Sequence, residues 1–176
     1  NGGWGTAVGL LLLERGHEVT VWGHDEDYVA TVRSKRENVK YLPGVQLPRD
    51  LKLTHDRKEA VSGAQVIINA VPTQWVRGVF GDFMELVRPK QMILSLSKGI
   101  EIGTLLRPSQ VLRELFSRNT IAVLSGPSHA EEVARKMPAS VVIATRSHAT
   151  ARKLQTALTT PRFRIYTNVD PAGVEL

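Results

Sequence analysis

Short apolar runs alternate with helix-patterned stretches along almost all of this 176-residue chain, and that rhythm leaves few folds open. Glu18–Gly23, Leu51–Thr54, Gln65–Val71, Gln91–Leu96, Thr120–Leu124, Ser140–Ala144 and Phe163–Tyr166 read as strands. Gln65–Val71 and Gln91–Leu96 are almost continuously apolar, as strands covered on both faces must be. Helices are predicted over Trp4–Arg15, Glu26–Arg36, Trp75–Val87, Pro108–Phe116, His129–Lys136 and Ser147–Leu158, with a brief one capped by Asp56 and stopped at Ser62-Gly63. Asn38–Pro48, which holds Pro43 and Pro48, reads as a loop. Strands joined by helices form a mostly parallel sheet with helices on both faces, a doubly wound α/β fold. After Asn168 the rhythm ceases, and Asp170–Leu176 reads as the lead-in to a further helix.

The opening stretch, Asn1-Gly2-Gly3-Trp4-Gly5-Thr6, gives that fold a specific expectation. Gly2 and Gly5 match the second and third glycines of G-x-G-x-x-G, which bring backbone up to a pyrophosphate and pack the helix close to its strand. N–H groups at the helix start, aided by the helix dipole, then face the anion. A surface glycine turn before a helix is the plainer alternative. Glycine turn, helix, Gly16 and a short strand follow one another here, which is the context the motif requires. The first glycine and its strand are expected before residue 1. On this reading residues 1–168 form a dinucleotide-binding domain of the Rossmann type and 169–176 begin a second, helical domain.

An acid normally closes the second strand of this unit and binds the adenosine ribose. Here Gly23 and His24 stand at that place, and Asp25 fits better as a helix N-cap. A missing acid removes repulsion against a 2′-phosphate, so NADP is favoured over strict NAD. The alternative is that Gly23 is only a turn residue.

Composition excludes more than it selects. A net charge of +6 raises nucleic-acid binding, but the basic residues are scattered and form no recognisable module. With no cysteine there are no disulfides or thiolate metal sites. The five histidines lie in separate segments without metal-ligand spacing, so no metal is expected. No apolar run reaches the length of a membrane span.

Ligands of doubly wound sheets bind beyond the carboxyl ends of the strands. Gly2–Gly5, Gly23-His24, Pro72–Trp75, Ser97–Gly99 and Gly126–Ser128 all fall at such ends. Lys98 follows a buried strand directly, where a cation needs an anionic partner such as a phosphate, unless it is simply exposed. Ser125-Gly126-Pro127-Ser128 opens a helix and reads either as a second anion site or as capping by Ser128.

Together these segments resemble the bacterial-type glycerol-3-phosphate dehydrogenases. The resemblance rests on Gly2-Gly3-Trp4-Gly5-Thr6-Ala7, Tyr41-Leu42-Pro43-Gly44, Ala70-Val71-Pro72 and Ser97-Lys98-Gly99-Ile100-Glu101. It continues through Leu124–Ser128 with Ala130–Ala134, and Phe163–Asn168 leading to Gly173-Val174-Glu175-Leu176. It implies reduction of dihydroxyacetone phosphate to sn-glycerol 3-phosphate with NAD or NADP, in the cytoplasm, for phospholipid synthesis. It further implies that Gly2, Gly3, Trp4 and Gly5 meet the cofactor, that His24 meets its adenosine end, and that Ala130 faces it. Lys98 would lie between cofactor and substrate, and Gly126 and Ser128 would contact the substrate. The partner is then a small molecule rather than nucleic acid or membrane, and a homodimer is compatible with the resemblance.

Two departures stand out. His129 replaces an aromatic residue, and the proton-donating lysine of the family is expected a few residues past Leu176. The 176 residues alone are therefore expected to bind NAD(P)H and turn over little. The alternatives are a related NADP-dependent reductase acting on ketopantoate or a 3-hydroxyacid, and a non-catalytic dinucleotide-binding module.

Overall fold

The computed structural model describes all 176 residues. In chain order the elements are α1 Gly3–Glu14, β1 Thr20–Trp22, α2 Glu26–Lys35, β2 Glu37–Asn38, β3 Leu42–Gln46, β4 Lys52–Thr54, α3 Arg57–Val61, β5 Val66–Asn69 and α4 Thr73–Gly81. They continue as β6 Met92–Ser95, α5 Pro108–Leu115, β7 Ile121–Ser125, α6 Ala130–Ala134, β8 Ala139–Ala144, α7 His148–Leu158, β9 Phe163–Asn168 and α8 Pro171–Glu175. The alternation expected from sequence is the architecture observed, a Rossmann-type α/β fold.

The local stops and starts follow from particular residues. Gly16 at φ +80° ends α1, with its N–H on Leu13 O at 2.9 Å and that of His17 on Leu12 O at 3.1 Å. Asp25 caps α2, accepting from Tyr28 N at 2.9 Å, and Asp56 caps α3, accepting from Glu59 N at 3.0 Å.

Two expectations need correction. Asn38–Pro48 is not a bare loop, because β2 and β3 pair antiparallel within it. Leu42 and Leu47 are buried there, so the segment has an inward face that its prolines disguise. Pro43 is tolerated because each strand of a two-stranded ribbon has an unpaired side. The helix expected over Trp75–Val87 runs instead over Thr73–Gly81, and Phe83 N–H bonds only three residues back, to Phe80 O at 3.0 Å.

The chain forms two compact units. The first comprises Asn1–Ser62, Pro127–Ser140 and Ala157–Arg164. In it β1 and β4 pair in parallel, Trp22 opposite Thr54, over a core of Val21, Val29, Val32, Leu47, Leu51 and Leu53. Helix α1 lies close to β1 because Gly9 has no side chain: a Cβ there would stand 3.2 Å from Val21 Cγ2. The cleft of about 490 Å³ in this unit sits at the far end of α1, among Leu10, Leu13, Val45, Val133 and Met137. None of the expected site residues lines it.

The second unit comprises Gly63–Gly126, Val141–Thr156 and Ile165–Leu176. Its sheet has the order β5-β6-β7-β8-β9, with β5, β6 and β7 parallel and β8 antiparallel to β7. Ile93 and Leu94 of β6 are fully buried, as the apolar run predicts. Phe80, Phe83 and Phe116 close the helical layer over them, Phe80 and Phe116 meeting edge to face at 6.1 Å.

Candidate cofactor-binding site

Within the first unit the expected residues gather at the start of α1. Gly2 is the N-cap, extended at φ −66° and ψ 169°, and no side chain caps the helix. The first-turn N–H groups have no intrahelical acceptors, and the turn contains no acid. A Cβ on Gly2 would meet nothing within 4 Å, so the turn is open on that side. At Gly3 the reverse holds: a Cβ would run into the Tyr41 carbonyl oxygen and lie 3.6 Å from Ala130 Cβ. Gly3, Tyr41 and Ala130 are thus neighbours, the last two brought in by the 38–48 hairpin and by α6. Trp4 and Gly5 are half-buried in the same turn.

His24 lies exposed just past β1. The carboxylate of Asp25 is occupied by the α2 cap, as the sequence suggests. A Cβ on Gly23 would come within 2.6 Å of Asn1 Oδ1 and Val29 Cγ2, so the absence of a side chain there is a packing requirement and not merely a turn preference. Ser128 is half-buried just before α6, whose N-cap is His129, a residue that makes no side-chain cap bond.

In the second unit Lys98 is exposed, and its Nζ donates to Gly126 O at 2.8 Å. Lys98 and Gly126, far apart in sequence, are brought together here. Gly126 has φ 152° and Gly99 has φ +91°, backbone that favours glycine on both sides of the contact. A polar set that the apolar pattern of β5 and β6 conceals holds the Lys98 loop. Asn69, wholly buried, donates to Ser95 Oγ at 3.1 Å and Ser97 Oγ at 3.0 Å, and Ser97 Oγ donates to Val71 O at 2.5 Å. Thr73 Oγ1 donates to Lys98 O at 2.5 Å. Downstream, Arg77 grips Glu101 with two nitrogens, each at 2.9 Å, and reaches Glu114 at 2.8 Å. Buried polar groups must be paired, which is why Asn69 and Ser97 lock this loop.

The family described as NAD-dependent glycerol-3-phosphate dehydrogenase N-terminus matches residues 1–151. This chain belongs to it. The glycerol-3-phosphate dehydrogenase [NAD(P)+] of Streptomyces avermitilis is 42% identical over 99% of this chain and 53% of its own length. That of Bacillus subtilis is 44% identical over 99% of this chain and 52% of its own. The crystal structure of glycerol-3-phosphate dehydrogenase from Coxiella burnetii superposes with a TM-score of 0.93 at 33% identity, covering 99% of this chain and 54% of that one. The chain thus spans about half the length of these relatives.

Against the glycerol-3-phosphate dehydrogenase family the observed turn is chemically apt for a dinucleotide. Its amide donors are uncapped, its face at Gly2 is open, and Asn1 Nδ2 is a buried donor without an acceptor. β1 closes with Gly23 and His24 rather than an acid, and the acids that follow, Asp25, Glu26 and Asp27, belong to the start of α2. Sequence reasoning quoted Tyr41, Thr73 and Glu101 within their motifs without a contact for any of them, and did not single out Asn69 or Arg77. Asn69 left a trace as a polar residue inside an apolar strand.

Proposed function

We propose that this protein is an NAD(P)H-dependent glycerol-3-phosphate dehydrogenase that reduces dihydroxyacetone phosphate to sn-glycerol 3-phosphate, with these 176 residues holding the cofactor. The observation that carries the reading is the uncapped glycine turn at Gly2, present in a chain that belongs to this family. Residues 1–168 serve as the dinucleotide-binding domain, and 169–176 lead towards a helical substrate domain. The setting is cytoplasmic, and no helix is long and apolar enough to cross a membrane.

In this mechanism Gly2, Gly3, Trp4 and Gly5 bind the cofactor phosphates through backbone N–H groups, whose dipoles favour an anion. His24 receives the adenosine end, and its imidazole accepts NADP as well as NAD. Ala130 borders Gly3 and limits how far the cofactor can sink. NAD(P)H, when bound, would supply the hydride. The ketone oxygen would then gain negative charge, which Lys98 would stabilise electrostatically. Gly126 fixes the Lys98 ammonium through its carbonyl at 2.8 Å, and Ser128 contributes a hydroxyl to the substrate. The proton itself comes from a lysine that family resemblance puts shortly after Gly173-Val174-Glu175-Leu176.

The test is NADH and NADPH oxidation by the full-length protein, rather than these 176 residues alone, with dihydroxyacetone phosphate and, in parallel, with ketopantoate. Turnover of the first alone is expected. Turnover of ketopantoate instead would move the protein to a related reductase. Tight dinucleotide binding with neither turnover would make it a non-catalytic module.

A further inference from the structure

Asn38 is the one amide side chain of the first unit that is wholly buried, at 0% exposure, and it touches the glycine turn directly. Its Nδ2 donates to Asn1 O at 2.8 Å and to Thr6 Oγ1 at 2.8 Å. Its Oδ1 accepts from the Tyr28 hydroxyl at 2.7 Å, and that hydroxyl accepts from Lys40 N at 2.9 Å. The direction of each bond is forced. A carbonyl oxygen can only accept, so the amide nitrogen must face Asn1 O. Thr6 Oγ1 then receives a proton from Asn38 and must spend its own on Gly2 O, 2.9 Å away. Gly2 O also accepts from Thr6 N at 3.0 Å.

Both carbonyls of the Asn1-Gly2 pair are therefore tied to the protein side of the turn. In a trans peptide the C=O and the following N–H point in opposite directions. Holding Asn1 O and Gly2 O inward consequently aims the N–H groups of Gly2 and Gly3 the opposite way, and on its Cβ side Gly2 has nothing within 4 Å. An untethered turn could rotate these peptides and present a carbonyl dipole to a phosphate. We propose that Asn38, acting through Thr6, is the positioning residue that aims the Gly2 and Gly3 amides at the dinucleotide pyrophosphate. This rests on the proposed function only in taking that pyrophosphate as the ligand of the turn.

The experiment measures NADH and NADPH affinity of the full chain by calorimetry, and the Gly2 and Gly3 amide proton shifts on adding NADH. Asn38→Asp keeps shape but cannot donate to Asn1 O, and Thr6→Val keeps shape but loses the hydroxyl. Each is expected to bind NADH about tenfold more weakly. Thr6→Ser, which keeps the hydroxyl, should stay within about twofold of wild type. The two glycine amide protons should move downfield with NADH in wild type and Thr6→Ser, and not in Thr6→Val. A purely structural role would lower the melting temperature of Thr6→Val while leaving NADH affinity and these shifts unchanged, and that result overturns the proposal. If Asn38→Asp fails to fold, the Val and Ser variants of Thr6 decide alone. Should wild type itself bind neither dinucleotide, the functional reading fails first; should wild type bind and Thr6→Val bind equally well, only the role of Asn38 and Thr6 is lost.

Discussion

Two residues of the proposed site can be checked singly. Lys98 is exposed yet held on Gly126 O at 2.8 Å, a geometry that gives its charge a fixed place. Lys98→Ala in the full-length protein is expected to lower kcat/KM for dihydroxyacetone phosphate roughly a hundredfold, with losses in both affinity and rate. Near-normal kinetics would reduce it to an ordinary surface lysine. At the proposed adenosine end His24 is exposed, and the Asp25 carboxylate caps α2. His24→Asp should weaken NADPH relative to NADH by roughly tenfold, read from the ratio of the two dissociation constants. Gly23 is the wrong place for this test, because any side chain there collides with Val29 and Asn1. The sequence disclosed these positions because each departs from a rule of its element: a missing acid, a lysine straight after a buried strand.

Among the elements, the segment after β6 depends on one ion pair. Arg77 of α4 donates to both oxygens of Glu101, whose side chain is only 10% exposed, and Thr104 Oγ1 donates to it as well. The guanidinium, and then the Thr104 hydroxyl, hold the Glu101 carboxyl below its ordinary value of 4.5. A carboxylate whose pKa is depressed by folding adds stability above its unfolded value and loses it as pH falls through the folded one. The melting temperature of wild type should therefore exceed that of Glu101→Gln at neutral pH, with the gap closing below about pH 4.5. A gap independent of pH would assign the difference to packing instead. Neither partner was legible in sequence, since Arg77 and Glu101 sit on different elements and nothing in local spacing joins them. The β2/β3 hairpin was hidden for a related reason: its inward residues, Asn38, Leu42 and Leu47, follow no clean alternation.

On the scale of the whole molecule, helix α8 is anchored by a buried charge. Glu175 has a side-chain exposure of 0% and accepts from Ser109 N and Ser109 Oγ, each at 2.6 Å, with Arg107 Nη1 at 3.2 Å. A carboxylate is costly to bury unless donors surround it, and here the first turn of α5 supplies them. Glu175→Ala leaves Arg107 and the Ser109 amide without their partner and is expected to cost about 3 kcal/mol of stability, measured by urea unfolding. A loss below about 1 kcal/mol would mean that water replaces the carboxylate. These bonds tie α8, the segment that follows β9, to the start of α5.

The sequence by itself determined the α/β class, the position of most strands and helices, and the glycine turn with its family. Those are written in hydrophobic period, capping residues and contiguous motifs, all of them properties of neighbouring residues. Tertiary structure alone decided that Gly3 must lack a side chain because Tyr41 O occupies its place, that Lys98 rests on Gly126, and that Asn38 reaches Asn1 and Thr6. Hydrogen bonds and steric contacts of that kind join residues distant in the chain, and they come into being only when folding brings the segments within a few ångströms of each other.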